Sequence, residues 1–247
     1  MQIIEGRNPV IEALRAGRPI SRILIDRNAQ LHGAAAQIVQ SAKSRGVVVE
    51  LVDKQDIESQ SQTGASQGVI AFAAAKDYVD LDDLFSISRG RREAAFYLVL
   101  DGIEDPHNLG AILRTAEATG VHGVVIRERR AVGLTPAVVK ASAGAVEYVP
   151  VAMVTNISQA ILRLKKNNVW VTGIDMAGGQ DYSRIDFNPP TAIVVGGEGK
   201  GLSELARKRC DSIASIPMKG KISSLNASVA AAVVMYEALR QRALKKG

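Results

Sequence analysis

Along the first 75 residues, short apolar runs at 23–25, 47–52 and 68–73 alternate with stretches at 9–15 and 31–44 that carry helical spacing. The runs have strand character, so this part predicts a small α/β layer structure rather than a bundle or a sandwich. The alternation breaks at 76–93, where LDDLFSISRGRRE mixes both charges around Gly90 and reads as an exposed linker. It restarts at Ala95. FYLVLD at 96–101 reads as a buried strand and VHGVVI at 121–126 as the next. Between them a helix at 108–119 puts Ile112, Ala116 and Thr119 on one face. Further strands are expected at 148–154, 169–174, 192–196 and 212–216, and helices at 136–142, 157–167, 203–209 and 225–242. Strands and helices succeeding each other at this pace predict a mostly parallel sheet covered on both faces. In the last helix Leu225, Val229, Val233 and Tyr236 keep helical spacing, which assigns one face to a core or a partner. The chain therefore divides into 1–75, a linker at 76–93, and 94–247.

Composition narrows the classes. A 247-residue chain with 47% apolar side chains buries roughly 70–75% of its unfolded surface and forms real cores. Its apolar stretches fall short of the ~18–20 residues that cross a bilayer. Glu5, Arg7 and Glu12 stand where a secretion signal needs an apolar run. The single cysteine, Cys210, excludes an internal disulfide framework and fits a reducing cytosol, so a soluble cytoplasmic protein without a membrane partner is expected. His32, His107 and His122 show no zinc-ligand spacing, and no metal is expected.

The net charge of +6 is uneven: +1 over 1–75, −1 over 76–93 and +6 over 94–247. Aromatics are only 4%, with Trp170 the one tryptophan, which argues against a stacking platform for single-stranded bases. Any nucleic-acid contact must rest on charge and backbone. Arg89, Arg91 and Arg92, Arg127, Arg129 and Arg130, and Lys219 with Lys221 are candidate phosphate contacts, each equally readable as solvated surface.

Three strand-to-turn junctions are too polar and too rich in glycine to be explained by packing. In LDGIEDPHNLGAILRTAEATG at 100–120, Pro106 and Gly110 shape a turn and Asn108 is placed to cap the following helix. Arg114 lies one and a half turns in, close enough for a long side chain to reach the strand ends, where open α/β sheets bind ligands. In IVVGGEGKGLSE at 193–204, four glycines surround Glu198 directly after a strand. Such a backbone permits close approach to a ligand. It satisfies neither the GxxxxGK[ST] nor the GxGxxG spacing, which sets aside a nucleotide phosphate loop and a dinucleotide-dependent oxidoreductase. A carboxylate among glycines suits a cationic ligand or a sugar hydroxyl. In IPMKGKISSLNAS at 216–228, Ser223, Ser224 and Asn226 precede the final helix in greater number than one cap needs, beside Lys219 and Lys221.

In order and spacing, DPHNLGAILRTAEATG, VVGGEGKGL and IPMKGKISSLNASVA resemble the three signature motifs of the TrmH-type branch of the SPOUT RNA 2′-O-ribose methyltransferases, across 95–243. EGRNPVIEAL with TGASQGVIAF at 63–72 resembles the ribosomal-protein-like RNA-binding domain of the subgroup that methylates a 23S ribosomal RNA guanosine. The resemblance implies a small N-terminal ribosomal-protein-like α/β domain and a C-terminal SPOUT α/β domain with a deep trefoil knot, a rare exception to unknotted chains. It further implies S-adenosylmethionine held by Gly196, Gly197, Ile216, Met218 and Leu225, and a homodimer built on the last helix. Catalytic roles fall to Asn108, Arg114, Glu198, Ser224 and Asn226. The partner implied is large-subunit ribosomal RNA, not DNA.

Transfer RNA methylation, a thiostrepton-resistance-type ribosomal RNA methyltransferase, and an RNA-binding assembly factor without turnover are the alternatives. An arginine stays protonated in proteins, so Arg114 is expected to position phosphate or stabilise a developing alkoxide, with Glu198 either receiving or relaying the proton or orienting Arg114 and Asn226.

Overall fold

The computed structural model describes residues 1–28, 33–199 and 201–245. The expected helix start at 31–32, His32, Lys200 and the basic residue Lys246 lie outside the described residues.

The chain forms two compact units, 1–77 with 134–148, and 78–133 with 149–247. In the first, β1 (Gln2–Glu5), β2 (Ile20–Asp26), β3 (Val48–Val52) and β4 (Val69–Ala73) make a mixed sheet in the order β1-β4-β2-β3. β4 runs antiparallel to both β1 and β2, and β2 runs parallel to β3. Helices α1 (Arg7–Arg15), α2 (Ala34–Ser44) and α3 (Lys54–Gln60) complete the α/β layers. β1 and α3 carry no pattern of their own in the sequence: one has four residues, the other buries only Ile57.

The segment 134–148 also belongs to this unit. It holds α6 (Pro136–Ala141) and a single 3₁₀ turn at Ala145–Glu147. Gln2 Nε2 donates to the carbonyl of Leu134 at 2.7 Å. Arg18 Nη1 meets Glu147 Oε1 at 2.6 Å, with the two side chains 4% and 1% exposed. A buried pair of this kind is expensive to break, because the survivor is left charged and dry. The compact units thus differ from the boundaries read in the sequence, since 134–148 sits inside the expected 94–247 domain yet packs with the N-terminal residues.

The larger unit begins with α4 (Leu81–Arg91), which corrects the expectation of an exposed linker at 76–93. Its Leu81, Leu84 and Phe85 are buried in the core with Tyr97, Val99 and Ile161, and a capping box between Asp80 and Asp83 starts it.

The sheet of this unit has seven strands in the order β7-β6-β5-β10-β8-β11-β9. They are β5 (Phe96–Asp101), β6 (Gly123–Arg127), β7 (Val151–Val154), β8 (Trp170–Ile174), β9 (Gln180–Asp181), β10 (Thr191–Gly196) and β11 (Ser212–Ser215). Every pairing is parallel, in agreement with the expected sheet. β5 and β10 at the centre are buried at all six positions, as strands covered on both faces must be. Helices α5 (Pro106–Ala118), α7 (Ile157–Lys166), α8 (Glu204–Arg209) and α9 (Ala227–Lys245) supply the covers. This α/β arrangement is consistent with a SPOUT fold and its knot.

Parallel pairing brings the carboxyl ends of β5, β6, β8, β10 and β11 to one end of the sheet, and the three polar junctions lie there.

Candidate active site

β10 delivers the chain into the glycine loop. Asp101, buried at the end of β5, holds both ends of it: its carbonyl accepts Gly197 N–H at 3.0 Å and its Oδ2 accepts Ser203 N–H at 2.8 Å. Between these points Gly201 N–H donates to the Gly197 carbonyl at 3.1 Å. A Cβ on Gly196 would collide with the Gly201 backbone, and one on Gly197 with the Gly102 carbonyl, so neither position tolerates a side chain.

Beside this loop opens a cleft of about 580 Å³. Gly196, Gly197, Ile216, Met218 and Leu225, the five positions expected to hold the cofactor, all line it, as do Glu198, Ser224 and Asn226. The cleft also uses residues that motif reading missed: Ile174, Asp175 and Met176 at the end of β8. Their place after a buried strand and before Gly178 and Gly179 was the available signal. Asp175 Oδ1 accepts Ala177 N–H at 2.9 Å and lies 3.4 Å from Arg207 Nη1. The described lining contains the carboxylates Asp175 and Glu198 and no lysine or arginine, which suits a cationic ligand and disfavours a phosphate.

At the mouth, three side chains from three motifs meet. Asn108 Nδ2 donates to Glu198 Oε1, and Asn226 Nδ2 donates to Asn108 Oδ1 at 2.9 Å and to Glu198 Oε1 at 3.3 Å. The expectation that Asn108 caps its helix is corrected here. α5 starts two residues earlier and its cap is Asp105, whose Oδ1 accepts His107 N–H at 2.9 Å. Asn108 is buried in the first turn with its amide free for the cluster. Asn226 is the cap of α9, its Oδ1 accepting from Ser228 N and Oγ and from Val229 N at 2.9, 2.6 and 3.3 Å. α9 begins after Leu225, which leaves Leu225 in the loop lining the cleft.

Arg114 does not join them. It is exposed, lines no part of the cleft, and has no hydrogen bond or ion pair among the described residues. Six residues beyond Asn108 on one helix, it is turned by about 240° from it, so its reach toward the strand ends within one chain is also corrected.

Cleft and cluster together set the carboxylates of Asp175 and Glu198 against a glycine-walled hollow, with the side chains of Asn108 and Asn226 tied to Glu198. Residues 95–236 match the SpoU rRNA Methylase family, and 3–79 match the RNA 2′-O ribose methyltransferase substrate binding family. A Bacillus subtilis protein, YacO, assigned to the TrmH family of tRNA/rRNA methyltransferases, is 45% identical over 96% of this chain and 94% of its own length. Among solved structures, the SpoU methyltransferase AviRb of Streptomyces viridochromogenes in complex with AdoMet matches with a TM-score of 0.81 and 28% identity, over 98% of this chain and 90% of that one. The AdoMet-bound rRNA methyltransferase of Sinorhizobium meliloti gives 0.78 and 27%, over 97% and 87%. The TrmH/SpoU tRNA modifying enzyme of A. aeolicus gives 0.57 and 28%, over 67% of this chain and 86% of its own. The chain belongs to the SpoU, or TrmH-type, family of RNA 2′-O-ribose methyltransferases.

Proposed function

We propose that this protein methylates the 2′-hydroxyl of a ribose in RNA from S-adenosylmethionine, and that the acceptor is a guanosine of 23S ribosomal RNA, as in the RlmB subgroup its motifs resemble. The carrying observation is the Asn108–Glu198–Asn226 cluster at the mouth of a glycine-walled cleft without basic side chains among its described lining. The sulfonium and ammonium of the cofactor suit that lining, with Gly196, Gly197, Ile216, Met218 and Leu225 holding it. When bound, it supplies an electrophilic methyl group.

The two asparagines fix the Glu198 carboxylate, which takes the proton of the acceptor hydroxyl as the oxygen-to-methyl bond forms and the sulfur-to-methyl bond breaks. Ser224, exposed on the cleft, offers a hydroxyl to the acceptor ribose. Arg114 acts from outside its own cleft. α9 carries an exposed apolar stripe, with Val229 47% and Tyr236 53% exposed and Leu239 in line, which a second copy covers in a homodimer. Arg114 then serves the neighbouring site as a permanent cation that steadies the developing alkoxide.

Ribosomal RNA is favoured over transfer RNA because the rRNA enzyme matches nearly the whole chain, whereas the tRNA enzyme matches two thirds of it. The substrate-binding region at 3–79 supports an RNA acceptor. A cytoplasmic location is proposed from the single cysteine, Cys210, which leaves no pair for an internal disulfide.

The test is transfer from radiolabelled S-adenosylmethionine to 23S ribosomal RNA or bulk transfer RNA from cells lacking the modification. One labelled ribose in ribosomal RNA is expected. Label confined to transfer RNA would overturn the substrate, and cofactor binding without label would leave an RNA-binding assembly factor. Glu198→Gln should lower the single-turnover rate at least ~100-fold. A near wild-type rate for Arg114→Lys would remove the role given to the guanidinium.

A further inference from the structure

The end of β6 and the loop that follows it carry Arg127, and Arg129 with Arg130, three cations for which the cofactor cleft has no use. Arg129 and Arg130 are exposed, and none of the three has a hydrogen bond or ion pair from its guanidinium among the described residues. Arg127 Nε is buried without a hydrogen-bond partner among the described residues.

Loop 128–133 is tied down near both ends. Glu128 N–H donates to the Val154 carbonyl at 2.9 Å, and Val132 N–H donates to the Ile103 carbonyl at 2.9 Å. Arg130 sits at φ 56°, a left-handed conformation that glycine adopts without cost and an arginine does not. Gln67, Arg92, Ala143 and Asn168 share this conformation, so what sets Arg130 apart is its place in the fold.

Its position says what the use is. The Arg130 carbonyl lies 3.8 Å from where a Cβ on Gly102 would be, and the Gly102 carbonyl in turn abuts Gly197. Loop 128–133 therefore stands beside the active-site mouth, over the ends of β5 and β6. The cofactor cleft opens on the other flank, where β8, β10 and β11 end. The acceptor strand must approach Glu198 from the flank the cofactor leaves open. Of the neighbouring acids, Asp105 is engaged in capping α5, while Glu104 and Glu128 are exposed.

We propose that Arg129 and Arg130 grip the internucleotide phosphates flanking the acceptor ribose. This rests on the RNA substrate proposed above and adds the site that holds its backbone.

The experiment measures binding of the full-length protein to transcribed 23S ribosomal RNA across a salt series, separately from methyl transfer. Two lost phosphate contacts should reduce the slope of log K against log salt by about 1.5 to 2. Arg129→Ala/Arg130→Ala is expected to show that change and at least tenfold weaker binding at moderate salt. S-adenosylmethionine affinity should stay within twofold of wild type, and Arg129→Lys/Arg130→Lys should recover most of the RNA affinity. Arg130→Gly separates contact from folding: it relieves the strained backbone, so it should melt no lower than wild type yet bind RNA more weakly. An unchanged salt slope in the alanine pair, or a melting temperature lowered in the glycine variant with RNA binding intact, would overturn the proposal. If wild type binds with the expected slope but transfers no methyl, the phosphate grip stands and the assigned reaction is what fails.

Discussion

Asn226 does two things with one side chain. Its oxygen closes the amino end of α9 and its nitrogen ties Asn108 to Glu198, so the orientation of the Glu198 carboxylate is fixed by the start of a helix. Gly196 shows the opposite economy, a position useful because it has no side chain. Gly196→Ala forces a methyl group into the Gly201 backbone, and overpacking of that kind costs about 1–3 kcal/mol or more. The expected result in thermal denaturation is a melting temperature lower by several degrees, together with loss of cofactor binding in calorimetry; unchanged values would mean that the loop can move aside. Motif residues were legible in the sequence because a carboxylate among glycines has few structural uses. Which asparagine capped which helix was not legible, because Asp105 and Asn108 compete for one role and only the helix start decides between them.

At the scale of elements, α4 was hidden by its own surface. Leu81, Leu84, Phe85 and Ser88 keep helical spacing, but the charged positions around them, from Asp80 to Arg92, dominate a reading by composition. Strands β5 and β10 were plain because a strand buried on both faces is an unbroken apolar run. His122, just ahead of β6, adds a pH dependence that no pattern announces. It is buried, its Nδ1 accepts Phe96 N–H at 3.1 Å, and burial, reinforced by Arg91, holds its pKa below the usual histidine value. The unfolded chain therefore binds a proton that the folded one refuses, and stability falls as pH drops below about 6.5. The melting temperature should decline between pH 7.5 and 5.5, and less steeply in His122→Asn, whose amide oxygen can still accept from Phe96. Equal slopes would assign the decline to other groups.

For the whole molecule, the sequence indicated two α/β parts and a parallel catalytic sheet, but not the excursion of 134–148. α6 has a proper cap in Thr135 and an ordinary helical pattern, and nothing local marks which sheet a helix will join. The spacing of apolar residues on α9 called for a core or a partner to cover them, and in the single chain several of them are exposed. Val229→Glu should leave the fold intact while a wild-type dimer becomes a monomer in light scattering, with activity falling alongside; a dimer that persists would place the interface elsewhere. A further consequence follows from the Arg18–Glu147 pair and the Gln2–Leu134 hydrogen bond. A nascent chain emerges from its amino end, so its first 77 residues reach the tunnel exit with a cation that has no counter-ion and a flank that has no cover. They must wait through some seventy further codons before residue 147 arrives. The smaller unit, although it opens the sequence, therefore closes only after residues 78–133 of the larger one have been made, and its maturation keeps time with synthesis of the part that follows it.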